Sequence, residues 1–156
     1  MIDLAIPGFG WLKLHAAVFD FNGTLALDGE LLPGVAERMH RLADQLDIYV
    51  VTGDTHGTAT KQLQSLPCKA EILQAEGQAK AKQAFHGRLP LDGVAAIGNG
   101  RNDLHMLQCA QLAIAVMGSE GMATEIMVAA DLVVTDIHAA FDLLLHPRRL
   151  LAGLRA

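Results

Sequence analysis

"VFDFNGTLA", Val18 to Ala26, is the stretch whose reading decides the fold. An apolar run from His15 ends on an aspartate, Asp20, and a Gly23-Thr24 turn follows directly after Asn22. Short apolar runs bounded by turn residues read as buried strands, so Asp20 stands at the carboxyl end of one. A carboxylate displayed in this way is a candidate phosphoryl acceptor, because an aspartyl-phosphate intermediate divides one hard displacement into two easier ones. Two positions on, where a second acid would assist proton transfer, the chain carries Asn22.

Outward from this stretch, apolar runs alternate with amphipathic ones, the pattern of parallel strands joined by helices. Strands are expected at His15–Asp20, Asp47–Asp54, Cys68–Gln74, Gly93–Gly100, Leu112–Gly118 and, at an edge, Leu132–Asp136. Helices are expected at Pro33–Leu46, Thr55–Leu66, Glu76–Arg88, Asn102–Ala110 and Ser119–Ala130, the last with Ser119 as its N-cap, and then through the C-terminal segment. In the first helix Val35, Met39, Leu42 and Leu46 recur on one side. The fold class is therefore α/β: a three-layer, Rossmann-like, mostly parallel sheet with helices on both faces. With few aromatics, aliphatic side chains must fill the core; Met106, Met117, Met122 and Met127 read as core filling, and Trp11 as packing the N-terminal segment against the sheet edge.

Length and composition set the outer limits. The 156 residues suit a single domain, 1–156, and no linker or repeat divides them. A net charge of −5 without a Lys/Arg-rich run argues against a nucleic-acid surface. The seven histidines are scattered singly, and two cysteines are too few for a disulfide framework. The N-terminal stretch lacks a basic export signal, and no apolar run is long enough for a membrane span. A cytoplasmic protein without a membrane partner is the expectation.

Reactive groups in open parallel sheets gather at the carboxyl ends of strands. Four polar clusters fall at strand ends or helix starts: Asp20–Thr24, Thr52–Thr55, Lys80 and Gly98–Asp103. Thr52 offers a hydroxyl donor, and Gly53 allows close backbone approach. Lys80, or Lys82 beside it in "KAK", can set a positive charge against phosphate oxygens; Lys80 is preferred on spacing, 18 positions before Gly98. Asn99 and Asp103 supply oxygen ligands of the kind Mg²⁺ takes. Phosphoryl transfer needs chiefly positioning and charge compensation, and this set offers both.

"DFNGTL", "VTGD", a lone lysine and "GNGRND", in that order, resemble the four motifs of the haloacid dehalogenase superfamily. Within it the chain is most similar to the phosphorylation domain of P-type ATPases and to small soluble proteins like that domain. "NGTLALDG", "EGMATE" and "LLLHPRRLLAGLR" extend the resemblance over nearly the whole chain. It implies Asp20 as nucleophile and metal ligand, with Asn22 contributing its backbone carbonyl to the metal. Thr52 and Lys80 would hold phosphate, and Asp103 and Asn99 would complete a Mg²⁺ site. The implied phosphate contacts are Asp20, Phe21, Asn22, Thr52, Gly53 and Lys80.

Departures from the family pattern matter as much. Family phosphatases carry an acid–base aspartate where this chain has Asn22, and general acid–base catalysis is worth about 10²–10⁴-fold. Asn99 replaces an aspartate and removes one negative charge from the metal site. Phe21 stands where P-type ATPases have lysine. The intervals from Thr24 to Thr52 and from Thr52 to Lys80 hold only a short hairpin and single helices, too little for a large cap. The resemblance thus implies a slow, uncapped, Mg²⁺-dependent phosphatase or phosphotransferase acting on a phosphorylated small molecule or phosphoprotein, with a homo-oligomer covering the open site. The alternative is a catalytically weakened phosphate- and Mg²⁺-binding regulatory module. A receiver-type signalling domain is disfavoured, since its acidic metal pair should precede the acceptor strand.

Overall fold

The computed structural model describes residues 1–73, 82 and 92–156. The expected helix at Glu76–Arg88 lies outside the described residues, Lys82 excepted. Among the described residues the main sheet has six strands: β3 (Ala16–Asp20), β6 (Asp47–Thr52), β7 (Lys69–Ile72), β8 (Val94–Gly98), β9 (Leu112–Val116) and β10 (Leu132–Val134). Their order is β10-β9-β8-β3-β6-β7, and every pairing is parallel. The chain builds outward from β3 through β6 to β7, then returns to its other side as β8, β9 and β10. That reversal makes the carboxyl ends of β3, β6 and β8 the crevice where such sheets place their sites.

Successive strand residues point to opposite faces, and the two faces differ in size. Ala17, Phe19, Ile97, Leu112, Ile114 and Val116 face α1 (Val35–Ala43) and α5 (Ile137–Leu145). Val35, Met39, Leu42 and Leu46 all point into this layer. Phe19 stacks on Phe141 with ring centroids 4.9 Å apart, which anchors α5 to the central strand. On the other face the strands present mostly small residues, Ala16, Val18, Ala96, Ala113 and Ala115, to Met106 and Leu107 of α3 (Leu104–Cys109) and Ile126 of α4 (Thr124–Ala129). The helices lie on both faces, as the sequence pattern requires.

The N-terminal residues form a hairpin that the sequence reading did not anticipate. β1 (Ile2–Ile6) pairs antiparallel with β2 (Gly10–Leu14), and Gly8 turns the chain at φ 83°. Ile2, Ile6, Leu12 and Leu14 reach the core on the α1/α5 side. Trp11 alternates to the opposite face: it is 62% exposed and donates its indole N–H to Asp3 at 2.5 Å, so it does not pack on the sheet edge. A second hairpin, β4 (Ala26–Leu27) with β5 (Glu30–Leu31), occupies the interval after Thr24, as expected.

Three other expectations are corrected. Of the four methionines only Met106 is fully buried; Met117 and Met127 are each 47% exposed. α2 shortens to Ala59–Leu63, because Asp54 turns at φ 47° and accepts from the N–H of Ala59 at 2.8 Å. α4 begins at Thr124 and Ser119 does not cap it, because residues 118–121 form a tight turn closed by Gly121 N–H to Gly118 O. The last helix, α6 (Arg148–Leu154), buries Leu150 and leaves Arg148 and Arg149 exposed. No helix among the described residues is long and apolar enough to cross a membrane.

Candidate active site

Asp20 ends β3, and its side chain lies nearly inaccessible between the ends of β6 and β8. Lys82 supplies the counter-charge. Its Nζ lies 2.5 Å from Asp20 Oδ1 and 2.6 Å from Asp103 Oδ1, and all three side chains are buried. Lys80, the sequence-preferred lysine, lies outside the described residues. The ammonium at the carboxylates belongs to Lys82, the other lysine of the pair.

Asp103 is placed by the backbone. Its Oδ2 accepts from the N–H of Asn99 at 3.2 Å and of Gly100 at 3.0 Å, which is possible because residues 101–103 coil into a 3₁₀ turn. Gly98 leaves room for it: a Cβ there would lie 2.6 Å from Asp103 Oδ2. The "GNGRND" segment is thus a carboxylate holder.

Burial, first, and the neighbouring Asp103 charge raise the Asp20 carboxyl to about 7, against the opposing pull of Lys82. Burial alone would lower the Lys82 ammonium, but the two carboxylates outweigh it and hold Lys82 above its ordinary value. Two carboxylates and one ammonium leave a formal charge of −1 when all are ionised. The cluster is built to accept further positive charge.

The remaining expected residues surround this cluster. Thr52 is buried at the end of β6, and its Oγ1 accepts from the N–H of Asp54 at 3.0 Å and from Asn22 Nδ2 at 3.4 Å. Both contacts use the hydroxyl oxygen as acceptor, which leaves its proton free to donate. Asn22 Oδ1 is buried with no hydrogen-bond partner among the described residues. Gly53 follows Thr52, half-buried, and Phe21 is fully buried, with its carbonyl accepting from Thr24, Leu25 and Ala26 to close the turn.

Thr24, which the sequence reading left without a role, is central. Its buried Oγ1 lies 3.3 Å from Asp20 Oδ2 and 3.2 Å from Asn99 Oδ1. A polar residue inside an apolar turn was the available signal. Asp20, Asp103 and the Asn99 amide present only oxygen donors, the set a hard divalent cation takes, and each Oδ1 that meets Lys82 keeps a second lone pair. Among the described residues no group of three His, Cys, Asp or Glu side chains gathers as a richer metal site.

No family model matches the chain. Solved structures do resemble it. The cobalt-bound deoxy-D-mannose-octulosonate 8-phosphate phosphatase (YrbI) of Haemophilus influenzae superposes with a TM-score of 0.67 at 15% identity, covering 92% of this chain and 94% of that one. A Legionella pneumophila hydrolase ascribed to the HAD superfamily, subfamily III A, gives 0.68 at 18% identity over 91% and 87%. The Moraxella catarrhalis 3-deoxy-D-manno-octulosonate 8-phosphate phosphatase, solved with magnesium, phosphate and KDO, gives 0.65 at 16% identity over 90% of each chain. The chain therefore has the haloacid dehalogenase-type fold, and nothing in it forms a large cap among the described residues.

Two proteins are similar to the chain in sequence. The uncharacterized protein MJ0073 of Methanocaldococcus jannaschii is 46% identical over 66 residues, 42% of this chain and 71% of that protein. The uncharacterized protein MJ0072 of the same organism is 42% identical over 38 residues, 24% of this chain and 86% of that protein. The chain belongs to the family of MJ0073.

Proposed function

We propose that this chain is a Mg²⁺-dependent phosphohydrolase or phosphotransferase of the uncapped, P-type-ATPase-like kind, with Asp20 as the phosphoryl acceptor. The observation that carries the reading is the buried Lys82 ammonium between Asp20 and Asp103, set at the switch point of a parallel sheet. Three ionisable groups withdrawn from water in this way are costly to the fold, and such clusters concentrate at reactive sites.

In the proposed reaction an Asp20 oxygen attacks phosphorus and the bond from phosphorus to the leaving oxygen breaks. The leaving oxygen takes its proton from water, because Asn22 has none to give. Thr52, its hydroxyl proton free, donates to a phosphoryl oxygen, and Lys82 offsets the charge of the transferring group. In the hydrolytic second half, water attacks the aspartyl phosphate, phosphate leaves and the Asp20 carboxylate is restored. Asp20, the Asn22 carbonyl, Asn99 Oδ1 and Asp103 would hold Mg²⁺, which supplies charge compensation for the phosphoryl oxygens when bound. The substrate is a phosphorylated small molecule or phosphoprotein, and a second copy of the chain would cover the open site.

Release of phosphate from an aryl phosphate should require Mg²⁺ and vanish in Asp20→Asn. Undiminished release by that variant refutes the reading. One observation favours the second reading, a phosphate- and Mg²⁺-binding regulatory module: Asn22 puts an amide, not a carboxyl, against Thr52. Metal-dependent binding of beryllofluoride at Asp20 without turnover would select it.

A further inference from the structure

We propose that Asn99 is a positioning residue whose amide, rather than the family's carboxylate, is required because it ties the turn at residues 118–121 to the nucleophile. Asn99 is almost fully buried, and both ends of its amide have a protein partner, with one Oδ1 lone pair left for the proposed metal. Nδ2 donates to the carbonyl of Gly121 at 2.9 Å, and Oδ1 meets the Thr24 hydroxyl that also reaches Asp20. Its own carbonyl accepts from the N–H of Ala123 at 2.9 Å. One residue thus holds the end of the turn and the residue that leads into α4.

The chemistry fixes which end of the amide points where. A carbonyl can only accept, so the Asn99 atom facing Gly121 must be the donor nitrogen. Aspartate at this position would set a carboxylate oxygen against a carbonyl oxygen, losing the bond and adding repulsion. It could still accept from Thr24. The amide is the only member of the isosteric pair that satisfies both neighbours at neutral pH.

Glycine backbone packs directly against the amide. A Cβ on Gly23 would lie 2.4 Å from Asn99 Nδ2, and one on Gly118 would lie 3.1 Å from the Gly23 carbonyl. Glu120, in the same turn, accepts from the N–H of Asp28 at 2.8 Å and so engages the β4–β5 hairpin. A line of polar contacts therefore runs from Asp20 through Thr24, whose single proton is shared between Asp20 Oδ2 and Asn99 Oδ1, and through Asn99 to residues 118–121, then on through Glu120 to the hairpin. Of these residues Thr24, Gly118, Ser119 and Glu120 also line a cavity of about 400 Å³. The turn and the nucleophile share one support.

Two measurements test this, and only the second rests on the proposed phosphoryl chemistry. Amide hydrogen exchange of the metal-free protein is read by mass spectrometry in Asn99→Asp and Asn99→Ala. Loss of a buried hydrogen bond should speed exchange across residues 118–123 by about tenfold in both, with α5 unchanged. Unchanged exchange in the turn, or equal acceleration everywhere, overturns the inference. If Asn99→Asp does not fold, Asn99→Ala decides this arm.

In the second measurement, kcat for an aryl phosphate at saturating Mg²⁺ should fall about tenfold in Asn99→Asp and in Thr24→Val, with KM within about twofold, and recover in Thr24→Ser. A purely structural turn would leave kcat alone. A kcat that rises in Asn99→Asp would show that charge outweighs positioning, and would overturn the inference. Wild-type protein that does not turn over refutes the proposed function instead, and the exchange experiment then decides alone.

Discussion

Replacing Lys82 by methionine removes the only charge that offsets Asp20 and Asp103 in the described site. The unbranched side chain is kept out to Cε, so the change removes little besides the ammonium. Its Nζ sits 2.5 and 2.6 Å from the two carboxylates, with all three side chains at 7% exposure or less. Removing one partner of a buried ion pair leaves an uncompensated charge and costs about 3–5 kcal/mol. Asp103 keeps two backbone N–H donors, so Asp20 carries most of the loss. It can escape by taking a proton, and that makes the deficit depend on pH.

The direction follows from linkage. The Asp20 carboxyl of the folded protein is raised to about 7, from 3.8 when unfolded. Between those values the folded state binds more protons, so stability falls as pH rises. Without Lys82 the folded value climbs further, and this fall, about 1.4 kcal/mol per pH unit for one proton, continues above pH 7. Wild type loses less there, because Asp20 is already ionised and Lys82, held above its ordinary value, stays charged. Urea unfolding in metal-free buffer should show a deficit for Lys82→Met of at least ~3 kcal/mol near pH 8, smaller by about 1.4 kcal/mol near pH 5, one pH unit of the Asp20 proton. A deficit that is equal at both pH values, or below about 1 kcal/mol near pH 8, would refute the picture of a buried lysine shared by two ionisable carboxylates.

Other consequences follow from the same geometry. Asn22→Asp restores a proton carrier beside Thr52 and should raise dephosphorylation at least tenfold, within the ~10²–10⁴ range of acid–base catalysis; single-turnover decay of the phospho-protein reads it, and an unchanged or slower decay sinks the role given to Asn22. Gly98→Ala sets a methyl group 2.6 Å from Asp103 Oδ2, so Mg²⁺ affinity by calorimetry should drop while far-ultraviolet dichroism stays native; wild-type affinity would mean Asp103 is not a ligand. Phe141→Ala removes the ring stacked on Phe19 and should cost about 3–5 kcal/mol in urea unfolding, and a loss under 1 kcal/mol would show that α5 is not held by that contact.

The sequence by itself determined the layered sheet and pointed to the place of the candidate site. Alternating apolar and amphipathic segments dictate parallel strands with helices between them, because each run has to bury its own apolar face. The position of Asp20 and Thr52 at strand ends, and of Asp103 in the turn after β8, followed from the same alternation, since a strand's last residue is fixed by where its apolar run stops. Even the short hairpin after Thr24 was expected, from the little chain between Thr24 and Thr52.

Tertiary structure decided what local pattern leaves degenerate. Lys80 and Lys82 are chemically alike, and on a helical pattern residues two apart point about 200° from each other, so only the packed sheet selects which one meets the carboxylates. Trp11 and Leu12 sit on opposite sides of one strand, and burying Leu12 put the larger Trp11 in water. The N-terminal hairpin hid behind a Pro-Gly break, although Ile2, Leu4 and Ile6 alternate as a strand should. Ser119 had the chemistry of a helix cap, yet the Gly118–Gly121 turn took its place. Asn99 shows the difference most clearly. As a letter in "GNGRND" it was a missing charge; beside the Gly121 carbonyl, which can only accept, it is the donor that a carboxylate cannot be.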